Sequence, residues 1–506
     1  MTDEEKVEYV KSIHARVTRA EQDRNRHQSR IDDCYRLCLP WRHLTNQHES
    51  KPSTNLDDIF DETGMTVIED FAADMLSIFT PTKSRWLEIA PTQRLDQGDT
   101  RILAEALEKY QEVLFAEMRR SNLYQALQES YLDLGPGTMA LLIDDLDISQ
   151  PIHCQAIPLT DLLLDRGPYG EVDGKFRKWK VRATDAKVIW PDAKYPPQEP
   201  PIKPEDTREW DIIDGVYRDR SDKGTERHSY VVLRGRDLLI RREYTGEGSC
   251  PFIVARWSRD STTAWGIGPT YRSLPALKTL NHIKYLGLKN LDKVVDPVTS
   301  YEDDGTINID QGIDPGDWIP RGQGSKAPEI IESKTGFDVE WMHIDEQKSS
   351  IRRAHYQDRP EQTGKTPPTA TQWMDEAAER ARRMGSPATN LVIELQYPIA
   401  KRFAYLLNKR GVLPKVQLQG RDIALQPVSP LLRAQEQEEV VRVDRFLEIL
   451  ATRFGPQVAN VYAKHEEIIP FLAEKMGIKV SFVRNQQEVQ QAIQQAAQIA
   501  MQQQAP

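Results

Sequence analysis

The run with the most chemical promise is Gly364-Lys365-Thr366, which matches the ending of a phosphate-binding loop. Such a loop needs another glycine five positions before Gly364. It also needs a helix directly after Lys-Thr, so that amides and the N-terminal dipole can hold phosphate. Arg359 stands at the first place, and Pro367 and Pro368 forbid the second. Tyr301 to Gln311 imitates a calcium loop no better. Counting back from Gly305, the ligand places fall on Asp304, Glu302 and Ser300, and Gln311 stands where the closing acid belongs. Asp304-Gly305 reads as a tight hairpin turn instead. His465-Glu466 lacks a second histidine four residues on, where Ile469 sits, so no zinc-protease motif forms. Cys34 and Cys38 share a helical face, with His43 and His48 nearby. Zinc is one reading of that group, and two small buried side chains are the better supported one. No serine-nucleophile elbow and no paired carboxylates in a supporting context occur. The expectation is a protein without catalytic residues, metal ligands or cofactors.

The elements that carry these residues follow from composition and pattern. The chain has 506 residues, 39% hydrophobic and 28% charged, enough for roughly two to four packed regions. Its formal net charge is -10. A protein that grips DNA phosphates tightly is usually basic, so this one is expected to touch DNA locally, loosely or not at all. Four scattered cysteines fit a reducing compartment. The charged start, MTDEEKVEYVK, has no signal-peptide core, and no stretch is apolar enough for a membrane helix. A soluble protein made in a cytoplasm is expected.

Residues 1 to 40 predict a helix that ends before Pro40, and Asp57 to Phe79 a second. WLEIAP reads as a strand, and 99 to 133 as a helix with Leu103, Leu107, Tyr110 and Leu114 on one face. Gly135, Pro136 and Gly137 break it. Strand-like runs follow: TMALLID, IHCQAIP, LLLD and KWKVRAT, then, past a Pro-rich loop at 191 to 204, DIIDGVYR, SYVVLRG, LLIRREY and FIVARW. A helix is expected from near Ser273 to Asp296, because Pro297 disfavours helix before it. Its apolar residues Leu274, Leu277, Leu280, Ile283, Leu286, Leu288, Leu291 and Val294 drift around the axis. A helix apolar on several sides is normally buried on several sides. Two readings stay open: a central core helix, or a helix packed between neighbouring subunits of a ring.

Residues 297 to 340 read as short strands and turns, including FDVEWM, and carry ten acids against three bases. The helix before them has four lysines against two aspartates. A further helix is expected from about Ile344 to Arg359, closed by Pro360, and then the loop EQTGKTPPTA. A long helix opens at TATQWMDEAAERARRM, kinks at Ser386-Pro387 and is capped by Gly411. KVQLQG and DIALQP predict a β pair. A last helix shows Val440, Val443, Leu447 and Leu450 at spacings of three and four, and a Gln/Ala-rich tail follows.

This order resembles the portal proteins of tailed phages, and local sequence is similar to the podovirus head-to-tail connecting family. RAEQDRNRHQSRIDDCYRLCLPWR, DIFDETGMTVIEDFAADMLSIFTPTKSRWLEI, GPGTMALLID, CPFIVARWSRDSTTAWGIGPTYRSLPALKTLN and PPTATQWMDEAAERARRM carry the likeness. The resemblance implies a mixed α+β portal fold. Its parts would be a wing (1–268), stem helix 1 (269–296), a small α/β clip (297–340) and stem helix 2 (341–360). A tunnel loop (361–369), more wing (370–429) and a mostly helical crown with the Gln-rich tail (430–506) would complete it. It also implies a homo-oligomeric ring of about twelve subunits closed by a heterologous interface, at the portal vertex of a virion assembled in a bacterial cytoplasm. Double-stranded DNA would pass through it during genome packaging and ejection. Gln362, Thr363, Gly364, Lys365, Thr366, Pro367 and Pro368 would face that DNA, and Lys278, Lys284, Lys289, Lys293, Arg352 and Arg353 would be the basic residues of the stem. Glu302, Asp303, Asp304, Asp310, Asp314 and Asp317 would form the docking platform for terminase and then for tail adaptor or nozzle proteins. Major capsid, scaffolding and internal core proteins are further implied partners.

Overall fold

A computed structural model describes residues 3–42, 56–91, 97–145, 152–195, 202–203, 205–220, 226–295, 299–300, 329–330, 337–357, 383–413, 423–427, 430–454, 468–469 and 471–472. The architecture is mixed α and β, with antiparallel sheets. Helix α1 (Asp3–Cys38) stops just before Pro40, as expected. Its first half buries Val10, Ile13, Val17 and Ala20, one residue per turn. They pack on Leu163, Phe176, Val231 and Leu233, which lie on one face of a five-stranded sheet. That sheet orders β4 (Leu162–Arg166), β5 (Val172–Arg182), β6 (Glu209–Asp219), β7 (Arg227–Arg234) and β8 (Asp237–Thr245) side by side. Leu162, Leu164, Ile212, Val216, Tyr230 and Val232 point the other way into a second core. Strand side chains alternate, so neighbours such as Leu163 and Leu164 of β4, or Val231 and Val232 of β7, enter different cores.

Helix α2 starts at Thr63 and ends at Phe79, later than the expected Asp57, because the Asp61 carboxylate accepts the Thr63 amide (2.8 Å) and caps the start. The expected helix over 99 to 133 is two: α3 (Gln97–Arg120) and α4 (Leu123–Leu134). Asn122 separates them. Its side-chain amide donates to Cys154 O (2.7 Å) and accepts from Cys154 N (2.8 Å), closing the edge of β3 (His153–Ala156). Strand β2 (Thr138–Asp144) pairs with β3 on one side and β9 (Phe252–Arg256) on the other. The end of KWKVRAT leaves the sheet and enters a short helix, α5 (Ala183–Ile189).

Helix α6 (Pro269–Val295) begins four residues before Ser273, since proline is tolerated in a first helical turn. Beyond it, β10 (Thr299–Ser300) pairs antiparallel with β11 (Glu329–Ile330). Helix α7 (Phe337–Ala354) corrects two expectations: FDVEWM opens a helix and is not a strand, and the helix closes before Arg359. The expected kink at Ser386-Pro387 is present. Gly385 turns at φ 53, and α8 (Ser386–Leu391) starts with proline in its first turn. A π turn (Val392–Gln396) then leads into α9 (Tyr397–Lys409). Pro398 accounts for the π turn, because its ring would collide with the carbonyl four residues back in an α-helix. Gly411, at φ 69, ends α9 as expected. Val412 N donates to Leu407 O and Gly411 N to Asn408 O, both at 3.0 Å, which is the Schellman pattern. In the described residues β12 (Ile423–Pro427) pairs with β1 (Leu87–Pro91), more than 300 residues away, rather than with KVQLQG, which lies outside them. Helix α10 (Pro430–Phe454) follows.

Candidate functional site

The helix pair α6/α7 and its root in the body hold most of the described residues that sequence reasoning singled out. Near the body α6 buries Leu274, Leu277 and Leu280, and α7 adds Ile344 and Ile351 to the same core. Further out α6 leaves Leu286, Leu288 and Leu291 half-exposed, at 50%, 48% and 49%. At 100° per residue, Leu288 and Leu291 share one side of the helix and Leu286 lies nearly opposite. Among the described residues, nothing buries either side.

The stem bases do not form one stripe. Lys278, Lys289 and Lys293 fall within one arc of α6, and Lys284 falls elsewhere. Lys278 is tied to Asp33 of α1 by an ion pair. Lys289 sits 4.5 Å over the Tyr285 ring, and Lys284 is half-buried. Arg352 and Arg353 are exposed at the end of α7. The side chain of Lys293 lies outside the described residues, as do Gln362 to Pro368 and the acids Glu302, Asp303, Asp304, Asp310, Asp314 and Asp317. The β10–β11 bridge brings Thr299, near the start of the acidic insert, opposite Ile330, seven residues before α7.

Sequence reasoning missed the root. Gly135, Gly137, Gly266 and Gly268 cross backbone on backbone where α6 begins. A Cβ on Gly268 would lie 2.1 Å from Gly135 O, and one on Gly266 2.1 Å from Gly137 O. Gly137 also sits at φ 141. The signal was in the sequence, as the spaced glycines of GPG and GIG, but not which chain each would meet. Ion pairs tie the root to the sheets. Glu394, placed by the π turn, accepts from Arg256 N (3.0 Å), Nε (3.2 Å) and Nη2 (2.6 Å). Arg402, fully buried, donates to Ile143 O, Ser249 O and Asp144.

Three buried titratable groups lie in the body, of which Asp133 and His355 adjoin this root and His228 sits on β7 beside Ser249. Asp133 accepts from Tyr35 Oη (2.7 Å) and Arg42 (3.0 Å). Burial outweighs both partners and pushes its carboxyl up to about 6. His355 donates from Nδ1 to Ile351 O (2.9 Å), so its neutral Nε2 accepts from the Thr270 hydroxyl (2.8 Å). Burial lowers His355 to about 4, and likewise His228 to about 4. A histidine with a depressed folded pKa stabilises the fold above its unfolded value near 6.5, and that stability is lost as pH falls toward 4. Asp133, raised when folded, works in the opposite sense between about pH 4 and 6, offsetting one histidine. The net expectation is a loss of about 3 kcal/mol between pH 7 and pH 4.5. Urea midpoints across that range would read it, and His355→Gln should flatten the acid limb.

The cysteines behave as small buried side chains. Cys34 and Cys38 are buried free thiols, and burial pushes Cys38 up to about 12. His43, His48, His465 and Glu466 lie outside the described residues, within which no group of three His, Cys, Asp or Glu could hold a metal. No described helix is long and apolar enough to cross a membrane.

Comparison with known proteins gives these features their setting. A family model, bacteriophage head to tail connecting protein, matches residues 10–483. The portal protein of Salmonella phage epsilon15 is 22% identical over 473 residues, covering 85% of this chain and 81% of that protein. A chain of the virion of a native gene transfer agent particle aligns over 83% of this chain and 92% of its own, at 12% identity and TM-score 0.39. A chain from the neck of an empty gene transfer agent particle does so at 13% identity and TM-score 0.40, over the same shares. The chain belongs to the bacteriophage head to tail connecting protein family, as a structural portal component of the virion and not an enzyme.

Proposed function

We propose that about twelve copies of this chain close into a ring whose channel conducts DNA. The observation that carries this reading is the far half of α6, with half-exposed leucines on opposite sides. A cyclic ring presents each subunit with two different neighbours, and a helix apolar on two sides suits that arrangement. In this reading α6 and α7 are the stem, the segment between them is the clip, and 361–369 is the tunnel loop. Helix α10 belongs to the crown. Its stripe of Val440, Val443, Leu447 and Leu450 is only partly covered, and Val441, Phe446 and Ile449 are exposed. An acidic chain with sparse bases suits a channel in which DNA must slide. Lys365 would supply a loose ring of positive charge, each contact worth no more than about 1 kcal/mol. Assembly would take place in the bacterial cytoplasm, with scaffolding, major capsid and internal core proteins around the ring. Native mass spectrometry and negative-stain imaging of purified protein test the reading. Rings with a central hole, formed without nucleotide or metal, are expected, and only monomers and dimers at micromolar concentration would overturn it.

The clip reading makes its own prediction. The acidic insert, folded back on itself where β10 pairs with β11, would be the platform for terminase and later for tail adaptors. Reversing Asp303 and Asp304 to lysine should leave rings intact and weaken terminase binding by about tenfold at low salt, with a smaller loss at high salt. Unchanged binding and salt dependence, read by titration calorimetry, would remove the electrostatic role.

A further inference from the structure

Helix α7 ends where its own sequence does not require an end. SSIRRAHYQDR holds no glycine or proline, and Pro360 is the first residue that must stop a helix. The structure stops it at Ala354 by placing Tyr356 at φ 62, the one non-glycine among the described residues with positive φ. Gln357 N donates to Arg352 O (2.9 Å) and Tyr356 N to Arg353 O (3.1 Å). That is the Schellman closure, in the place where glycine is usual. A tyrosine there carries the left-handed penalty of its Cβ, so other contacts must hold it. The Tyr356 ring lies 5.7 Å from Trp257, which packs 5.3 Å from Phe71. Gln357 Nε2 donates to Val67 O (2.8 Å), and His355 is held by Thr270.

We propose that this end of α7 is a two-position switch. In the latched position the chain turns at Tyr356 and its ring is packed against Trp257 at a tilt of 52°. In the extended position residues 355–359 continue the helix to Pro360. Extension releases the left-handed strain and adds α-helical hydrogen bonds. It gives up the packing of the ring on Trp257 and the contact to Val67. It lengthens α7 by about 7 Å. On the portal reading above, that step carries the start of the 361–369 connection along the stem. This consequence rests on that reading, whereas the switch rests on α7 alone.

Two substitutions at one site isolate the backbone preference. Tyr356→Ala and Tyr356→Gly lose the same ring. Alanine favours helix and disfavours the left-handed turn, and glycine does the reverse, so the ratio of extended to latched protein should differ by roughly thirtyfold. Hydrogen exchange of full-length protein reads the amides of Asp358 and Arg359, since Gln357 N is already bonded to Arg352 O in the latched position. They should exchange about tenfold more slowly in Tyr356→Ala than in Tyr356→Gly. Gln357→Ala, which keeps the ring and loses the Val67 contact, should slow them relative to the parent, and Tyr356→Phe should match the parent. Equal exchange in the alanine and glycine variants, or no slowing in Gln357→Ala, overturns the switch. DNA retention by particles built with Tyr356→Ala is the second readout, with a severalfold loss expected. Slowed exchange with parental retention upholds the switch and overturns the placement of 361–369 in the channel.

Discussion

Replacing Leu286, Leu288 and Leu291 together by serine should abolish ring assembly and leave each protomer folded. Each leucine is about half-exposed in the protomer, so covering its remainder contributes on the order of 1 kcal/mol. Three per interface amount to about 3 kcal/mol, roughly a hundredfold in each association step, and the loss repeats at every contact around a closed ring. Native mass spectrometry should show monomers and small oligomers in place of rings, with the far-ultraviolet circular dichroism of the parent. The matching change at Leu274 and Leu277 should act differently. Those residues are buried inside the protomer, so their truncation to alanine destabilises the fold itself by about 2–5 kcal/mol each. Intact rings from the triple variant would return α6 to the reading of an ordinary core helix.

Gly268→Ala should lower the melting temperature by about 10 °C or prevent folding. Its Cβ would stand 2.1 Å from Gly135 O and 2.6 Å from Gly137 N. Both obstacles are backbone, so no side chain can swing aside, and α6 would have to lift off its root. Overpacking of this kind costs about 3 kcal/mol or more, at about 2–4 °C per kcal/mol for a cooperatively melting region of about 150–250 residues around the root. Gly235→Ala is the control. It also has positive φ, at 57, but nothing lies within 4 Å of the added Cβ. It should lose only about 1 kcal/mol to the backbone conformation. A Gly268→Ala protein that melts with Gly235→Ala would mean that the crossing is looser than its distances indicate.

Much of this protein is legible in local sequence. The end of α1 before Pro40, the strand runs of the five-stranded sheet, the kink at Ser386-Pro387 and the cap at Gly411 all depend on residues within a few positions of each other. So does the failure of Gly364-Lys365-Thr366 as a phosphate loop, which two prolines decide. The drift of leucines along α6 is likewise a matter of spacing, and by itself it leaves a core helix and a helix between neighbouring subunits both open.

Other features belong to the tertiary structure, because they depend on which distant surface each segment meets. Nothing in DIALQP names WLEIAP as its strand partner, since backbone ladders accept any extended chain. Asn122 interrupts a helical run because the edge of β3 needs its amide. The glycines of GPG and GIG matter because they cross each other, and a turn signal cannot report what lies on its far side. Asp133, His355 and Glu394 look like ordinary polar residues in the sequence, yet burial sets the charge states of the first two, and the hydrogen bonds from Arg256 give Glu394 its role. Helix α7 shows the division within one element. Its composition allows helix to Pro360, and only the packing of Tyr356 on Trp257 and of Gln357 on Val67 O turns the chain at Ala354, because contacts between segments outweigh a local preference worth about 1 kcal/mol per residue.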